Sequence, residues 1–261
     1  MHPFSHAAEA LKSLNPRGIV LSGSPASVLD ENAPAVHPDP LAAGLYLAPA
    51  AYLGPTADAP EYVEEILRIC DSERCGLLFP GVEPELPVLA AHAARIREAG
   101  VVAVVSEPDV VRICDDKLAT AEFLARHGFD APNTTAFVED LDASWFPCVL
   151  KPRWGGARSQ CTFVVHDKAA LETARAQIDP ANCIVQEYVE GDEYTCGTVS
   201  LDGTCRGVIV MRRTLRAGDT YKAFVTRDTA IETHVGAVVD ALGPFGACNV
   251  QLRLRAGRPY V

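Results

Sequence analysis

The chain has 261 residues, enough for one large or two small domains with a real core. Hydrophobic residues make up 48% and charged residues 22%, an ordinary globular composition, and the formal net charge of −11 argues against nonspecific nucleic-acid binding. No apolar run is long enough to span a bilayer, and the N-terminus "MHPFSHAAEALKSLNPRG" lacks a signal peptide's continuous apolar stretch, so the expected location is the cytoplasm.

In chain order, helical and strand patterns alternate, which predicts an α/β fold. "AAEALKSL" (7–14) reads as an amphipathic helix and "GIVLSGSP" (18–25) as a buried strand entering a Gly-containing loop. "DENAPAVHPDP" (30–40) carries three prolines and is too broken for a helix or a strand. Helix "APEYVEEILRIC" (59–70), strand "CGLLFPG" (75–81), helix "ELPVLAAHAARIREAG" (85–100) and strand "VVAVVS" (101–106) follow, a series that looks like half a Rossmann-type sheet. An Asp caps the next helix, "DDKLATAEFLARHG" (115–128), and "DAPNTT" (130–135) reads as a linker.

From 148 onward the pattern turns mostly β. "CVLKP" and "CTFVVH" are strands around a Gly-bearing loop, a helix covers 168–177, and "CIVQEYV" (183–189) is a strand. "YTCGTVSLDGTCRGVIVMRRTL" (194–215) is a hairpin turning at Asp202-Gly203, and "TAIETHVGAVVDALG" (229–243) is a helix ending at Gly243. In "GACNVQLRLRAGRPYV" (246–261), Asn249, Gln251, Arg253 and Arg255 alternate with Val250, Leu252 and Leu254: a strand with one polar and one apolar face, then a turn and the start of a return strand. The nine cysteines are odd in number and scattered, which fits free, buried thiols in a reducing compartment; "CDSERC" has the wrong spacing for a zinc knuckle.

Three stretches carry chemistry, and each alone also fits an unremarkable surface. "KPRWGGARS" follows a strand and sets two adjacent glycines between Lys151 and Arg158, a loop able to place backbone N–H groups and cations around phosphates; equally, it fits an ordinary hairpin loop. "VQEYVEGDEY" (185–194) crowds Glu187, Glu190, Asp192 and Glu193 around one glycine; such acids repel unless a cationic or hydroxylic partner sits there, or unless the turn is simply solvated. "NVQLR" offers two amide side chains suited to a hard metal or its waters, or to an exposed sheet face.

The order of these stretches after Asp116-Lys117 resembles the ATP-grasp superfamily, most closely its carbamoyl phosphate synthetase large-subunit-like branch, over roughly residues 38 to 261. The resemblance implies a Rossmann-like N-terminal domain (1–112, irregular at 1–40) and an ATP-grasp domain of two α+β subdomains (113–186 and 187–261), the last incomplete. It implies ATP held by Lys117 and Lys151 at the phosphates, with Gly155 and Gly156 starting the mobile loop. Glu187, Tyr188 and Val189 form the hinge at the adenine, and Glu193 takes the ribose hydroxyls. Gln251, supported by Asn249, would bind Mg2+ (or Mn2+), with Arg213 and Lys222 as further phosphate or substrate contacts. Family enzymes activate a carboxylate as an acyl phosphate, which an amine or other nucleophile attacks, forming a C–N bond, ADP and phosphate; positioning and magnesium supply most of the catalysis. The expected partners are ATP and a small carboxylate, with no nucleic acid and no membrane, and a homodimer is an open assembly state.

The sequence departs from that family in three places. Ala157, Arg158, Ser159 and Gln160 stand where the loop usually carries more glycines and a small hydroxyl residue before a basic one. Residues 14–36 look more like a piece of the amidotransferase domain of GMP synthetase, but no cysteine sits in a Gly-rich nucleophile elbow, so glutaminase activity is not expected. The glutamate that bridges two magnesium ions in the family would fall about two residues past Val261. The expectations are therefore a C-terminally truncated ligase, an edge at Val250, Leu252 and Leu254 with only a stub of a neighbouring strand and so poorly ordered or aggregation-prone, and, as the alternative function, a non-catalytic nucleotide-binding module or inactive fragment.

Overall fold

The computed structural model describes residues 19–22, 35–46, 48, 50–155, 161–216 and 219–261. The predicted helix at 7–14, most of 14–36, Gly156 and residues 157–160 lie outside the described residues. The chain is mixed α/β and divides into two units, residues 1–111 with 244–246, and residues 112–243 with 247–261.

The N-terminal unit holds a parallel sheet ordered β3-β2-β1-β4-β5: β1 Ile19–Ser22, β2 Ala35–His37, β3 Ala51–Leu53, β4 Leu77–Phe79 and β5 Val102–Ala103. Helix α1, Tyr62–Ser72, buries Tyr62, Val63, Ile66, Ile69 and Cys70, which recur at helical spacing on one face. They pack with Leu78, Leu89 and Ile96 in the core. The predicted helix at 85–100 is two helices, α2 Glu85–Ala91 and α3 Ala93–Glu98; they part at His92, whose φ of −108° and ψ of 8° leave the helical basin. The proline-broken run at 30–40 was expected to hold no strand, yet Ala35–His37 is β2, paired on both sides. Pro38 follows this strand, so its missing N–H group does not interrupt the ladder.

The C-terminal unit contains α4 Pro108–Asp115 from its residue 112 onward, α5 Lys117–Arg126, and two sheets. The first is antiparallel, ordered β6-β9-β7-β8, with β6 Thr134–Ala136, β7 Cys148–Pro152, β8 Phe163–Val165 and β9 Cys183–Glu187. The predicted linker at 130–135 thus runs into an edge strand. Helix α6, Lys168–Arg175, packs Leu171 and Ala174 against Cys148, Leu150, Val165, Cys183 and Val185.

The second sheet is ordered β12-β11-β10-β13-β14: β10 Asp192–Leu201, β11 Thr204–Arg216, β12 Asp219–Thr226, β13 Gly246–Arg255 and β14 Arg258–Tyr260. The β10–β11 turn has Asp202 at φ 53° and Gly203 at φ 71°, the positive pair that a two-residue hairpin requires. Strand β12 went unread in the sequence. Helix α7, Thr229–Leu242, buries Ile231, Val235 and Val239 against Tyr194, Cys196, Val250 and Leu252. The expected stub is present: β14 pairs only with Arg253, Leu254 and Arg255 of β13, while Val250 and Leu252 are buried in the core that α7 covers. All nine cysteines are free thiols; five are buried as expected, but Cys205 and Cys248 are only partly buried and Cys114 and Cys161 are exposed. Among the described residues, no helix is long and apolar enough to cross a membrane.

Candidate functional site

Strand β7 alternates, and Cys148 and Leu150 point into the core beneath α6, so Lys151 emerges on the opposite face. Gln186 pairs in register with Val149 and Ile184 with Lys151, which makes Gln186 the diagonal neighbour of Lys151 on that face. Lys151 Nζ donates to Gln186 Oε1 at 2.7 Å, and Gln186 Nε2 donates to Thr134 Oγ1 at 2.9 Å, so the side-chain chain crosses β7, β9 and β6. Among the described residues Lys151 has no carboxylate in ion-pair contact. Burial pulls its pKa down to about 8, helped by the nearby charges of Lys117 and Arg253 and opposed by Glu193.

Lys117 opens α5 beside this lysine. Asp116 caps the helix, its Oδ1 accepting from Leu118 N at 2.9 Å and Ala119 N at 3.3 Å. The same carboxylate takes a two-pronged bond from Arg153, at 2.8 Å from Nε and 2.6 Å from Nη2, and that guanidinium holds its pKa below the usual carboxylate range. Lys117 Nζ donates to Gly155 O at 2.7 Å and, more weakly, to Arg153 O at 3.4 Å. The helix N-terminus is thereby tied to the loop after β7, where Gly155 has φ 68° and admits a left-handed turn. A helix N-terminus with a lysine at its first position favours an anion.

On the second sheet, β10 buries Tyr194, Cys196, Thr198 and Ser200 toward α7, which turns Glu193 and Thr195 to the other face. The polar face of β13 lies alongside. Glu193 sits directly opposite Arg213 of β11. Arg213 bonds Glu193 through Nε at 3.0 Å and through Nη2, and Nη2 also donates to Gln251 Oε1 at 2.8 Å. Arg213 Nη1 reaches Thr220 of β12 at 3.3 Å. Arg253 takes the other Glu193 oxygen at 3.1 Å. One polar row thus crosses β12, β11, β10 and β13. Asn249 Oδ1 accepts from Thr195 Oγ1 at 2.7 Å on the same face.

Glu187 to Val189 lead from β9 of the first sheet toward β10 of the second. Glu187 accepts from Asn133 N at 3.2 Å and from Arg255 Nη1 at 2.7 Å. Arg253 Nη1 donates to Val189 O at 3.1 Å, and the Arg253 Cζ lies 5.7 Å from the Tyr188 ring centre. Gly191 then passes so close to β13 that a Cβ would stand 2.1 Å from Leu254 O, and its φ is +147°. The acids at 187–193 were expected to find their partner in a bound ligand. In this structure arginines pair three of these four acids: Arg255 with Glu187, Arg212 with Asp192, and Arg213 and Arg253 with Glu193.

The structure thus brings Lys117, Lys151, Gly155, Glu187, Val189, Glu193, Arg213 and Gln251 into connected hydrogen-bond groups within one unit. Lys222 is not part of them; it is exposed on β12, 5.3 Å from the Tyr221 ring centre. Sequence reasoning missed Gln186, Arg253 and Arg255 as members of the site, although the alternation in 249–255 already put both arginines on the face of Gln251. For a divalent cation, the oxygens of Gln251 and Asn249 are suitable hard donors, but both are neutral, and among the described residues no three His, Cys, Asp or Glu side chains gather to hold a metal. Such a donor set fits a cation already held by ligand phosphates, with Gln251 adding one oxygen. An open groove of about 430 Å³ in the N-terminal unit, lined by Leu53, Glu61, Glu64 and Arg68 among others, contains none of these residues.

Two β-sheets joined by a short connecting segment, one carrying a half-buried lysine and the other an acid–amide row, follow a parallel α/β unit; this is the architecture of ATP-grasp proteins. The solved L-amino acid ligase from Bacillus licheniformis is 19% identical, with a TM-score of 0.69 over 94% of this chain and 65% of that one. The ADP complex of purK, an N5-carboxyaminoimidazole ribonucleotide synthetase, is 13% identical, with a TM-score of 0.75 over 93% of this chain and 67% of that one. The family profile described as "ATP-grasp domain" matches residues 114–261, more than half of the chain, and that described as "PylC-like, N-terminal domain" matches residues 31–105. The chain belongs to the ATP-grasp domain family. It is also similar to a glutamine-hydrolyzing GMP synthase of Heliobacterium modesticaldum, 32% identical over 107 residues, which take in 37% of this chain and 20% of that protein. The chain therefore spans about a fifth of that relative and about two thirds of the two solved chains.

Proposed function

We propose that the C-terminal unit binds ATP and serves an ADP-forming carboxylate–amine ligase of the carbamoyl phosphate synthetase large-subunit-like branch. In this reading Lys117 and Lys151 hold the phosphates, and Gly155 and Gly156 open the loop over them. Glu187, Tyr188 and Val189 meet the adenine, and Glu193 meets the ribose. Gln251, supported by Asn249, would hold a phosphate-bound Mg2+ or Mn2+, which when present offsets phosphate charge in the transfer to a carboxylate. The chain's own residues bind and orient the triphosphate; Lys222 is left as an outlying substrate contact. The domains divide at 1–112, 113–186 and 187–261, the enzyme works in the cytoplasm, and a homodimer is admitted.

The observation that carries this reading is Lys151: a half-buried lysine bonded to a neutral amide, with its pKa lowered to about 8 and two further cations around it. Such a charge cluster destabilises the fold unless an anion uses it, and a polyphosphate is the anion that suits it. The test is a calorimetric titration with MgATP and MgADP, followed by phosphate release across a panel of small carboxylates with ammonia or amines. Micromolar to millimolar nucleotide binding that Lys151→Met weakens about 30- to 100-fold is expected; no binding of either nucleotide sinks the reading. A second reading, a nucleotide-binding module without turnover, draws support from the occupation of Gln251 and Glu193 by Arg213. Binding without carboxylate-dependent phosphate release would select it.

A further inference from the structure

We propose that Arg213 is an internal stand-in for the divalent cation: its guanidinium occupies the cation's place on Gln251 and must move away before a nucleotide-bound metal can take that oxygen. The proposal rests on the nucleotide-binding reading above and adds to it a residue that sets the strength of the metal's contribution.

The geometry is that of a substitute ligand. Arg213 Nη2 stands 2.8 Å from Gln251 Oε1 and also bonds Glu193, so one positive centre is shared between an amide oxygen and a carboxylate. That is the donor pattern a hard cation would seek on this face. The Arg213 side chain is only 12% exposed and that of Glu193 only 18%, so neither could sit here without a partner. The arrangement also provides for departure. Arg253 holds the second oxygen of Glu193 at 3.1 Å, so the acid stays paired when Arg213 leaves. Arg213 in turn keeps a hydroxyl contact on the outer side, Thr220 Oγ1 at 3.3 Å from Nη1. A direct phosphate contact by Arg213 predicts the opposite outcome, because removing it would weaken nucleotide binding.

The experiment measures ADP affinity by calorimetry in EDTA and in saturating Mn2+, for the wild-type chain and for Arg213→Met, Arg213→Lys and Lys151→Met. Methionine keeps the apolar stem and removes the competing charge. The readout is the ratio of the two dissociation constants, the gain that the metal confers. Arg213→Met is expected to raise that ratio about tenfold through tighter ADP binding in Mn2+, since one charge-assisted hydrogen bond no longer has to be displaced. Arg213→Lys, a point charge without the planar fork, falls between the two and carries the test if the methionine variant does not fold. A ratio that is unchanged or lowered in the Arg213 variants, while ADP still binds in a Lys151-dependent way, overturns the Arg213 proposal alone. If no variant and no wild-type chain binds ADP in either condition, the nucleotide reading fails and the proposal falls with it.

Discussion

The two sheets of the C-terminal unit treat charge in opposite ways. On the first, Lys151 has one hydrogen-bond partner among the described residues, the neutral amide of Gln186, and two other cations close enough to lower its pKa. On the second, Glu193 has two guanidinium groups, and every acid of the hinge segment that bonds at all bonds an arginine. A fold shaped by stability alone would pair the lysine with an acid. On the proposed nucleotide reading, the acids are satisfied within the protein and the lysine side meets an outside anion. On that reading a chain of net charge −11 suits a polyphosphate through a local field.

The largest effect is expected where the two sheets are joined. Gly191→Ala places a Cβ 2.1 Å from Leu254 O at a φ of +147°, so the hinge must shift away from β13. A loss of about 3–4 kcal/mol in urea unfolding is expected; a loss below about 1 kcal/mol would mean that the hinge contact is not rigid.

Lys151→Met sharpens the contrast because its two effects have opposite signs. ADP affinity should fall about 30- to 100-fold, while unfolding free energy should rise by about 1–2 kcal/mol. The pH dependence follows. With the folded-state pKa lowered from 10.5 to about 8, the cost of the buried charge is full below pH 8 and is relieved between pH 8 and 10.5, so wild-type stability rises across that window. Nucleotide affinity runs the other way and falls as pH climbs above 8, because only the protonated lysine holds phosphate. Both slopes should vanish in the methionine variant, as read by unfolding and titration at several pH values.

Asp116→Ala removes an N-cap and the partner of Arg153 together, and about 2 kcal/mol of stability should be lost. The Asp116 carboxyl is held below its ordinary pKa, first by Arg153. Its contribution is therefore present above the ordinary carboxylate range and disappears as pH falls through the lowered folded-state value, a step the alanine variant should lack in acid unfolding. The smallest effect is expected at Arg212→Ala. Its pair with Asp192 is half exposed on both sides, and less than about 0.5 kcal/mol should be lost. A larger loss would show that the arginine row acts as a network rather than as separate pairs.

What was legible in the sequence was local. Alternation put Asn249, Gln251, Arg253 and Arg255 on one face of β13. Asp116 announced a cap, and Asp202-Gly203 announced a hairpin. Each follows from dihedral preference and side-chain period, which act over a few residues. The resemblance to ATP-grasp proteins added the order of the site residues along the chain. Illegible were Ala35–His37 and Thr134–Ala136 as strands, the break at His92, strand β12, and above all the partners of the acids. A three-residue strand carries almost no pattern of its own and exists through neighbours such as Ala51 or Gln186, which lie far along the chain. By itself the sequence determined which groups the protein possesses and which face of each element they share. Only the tertiary structure decided that, among the described residues, Glu193 meets two arginines while Lys151 pairs with no acid, because charge pairing depends on separation in space, and strands remote in sequence set that separation.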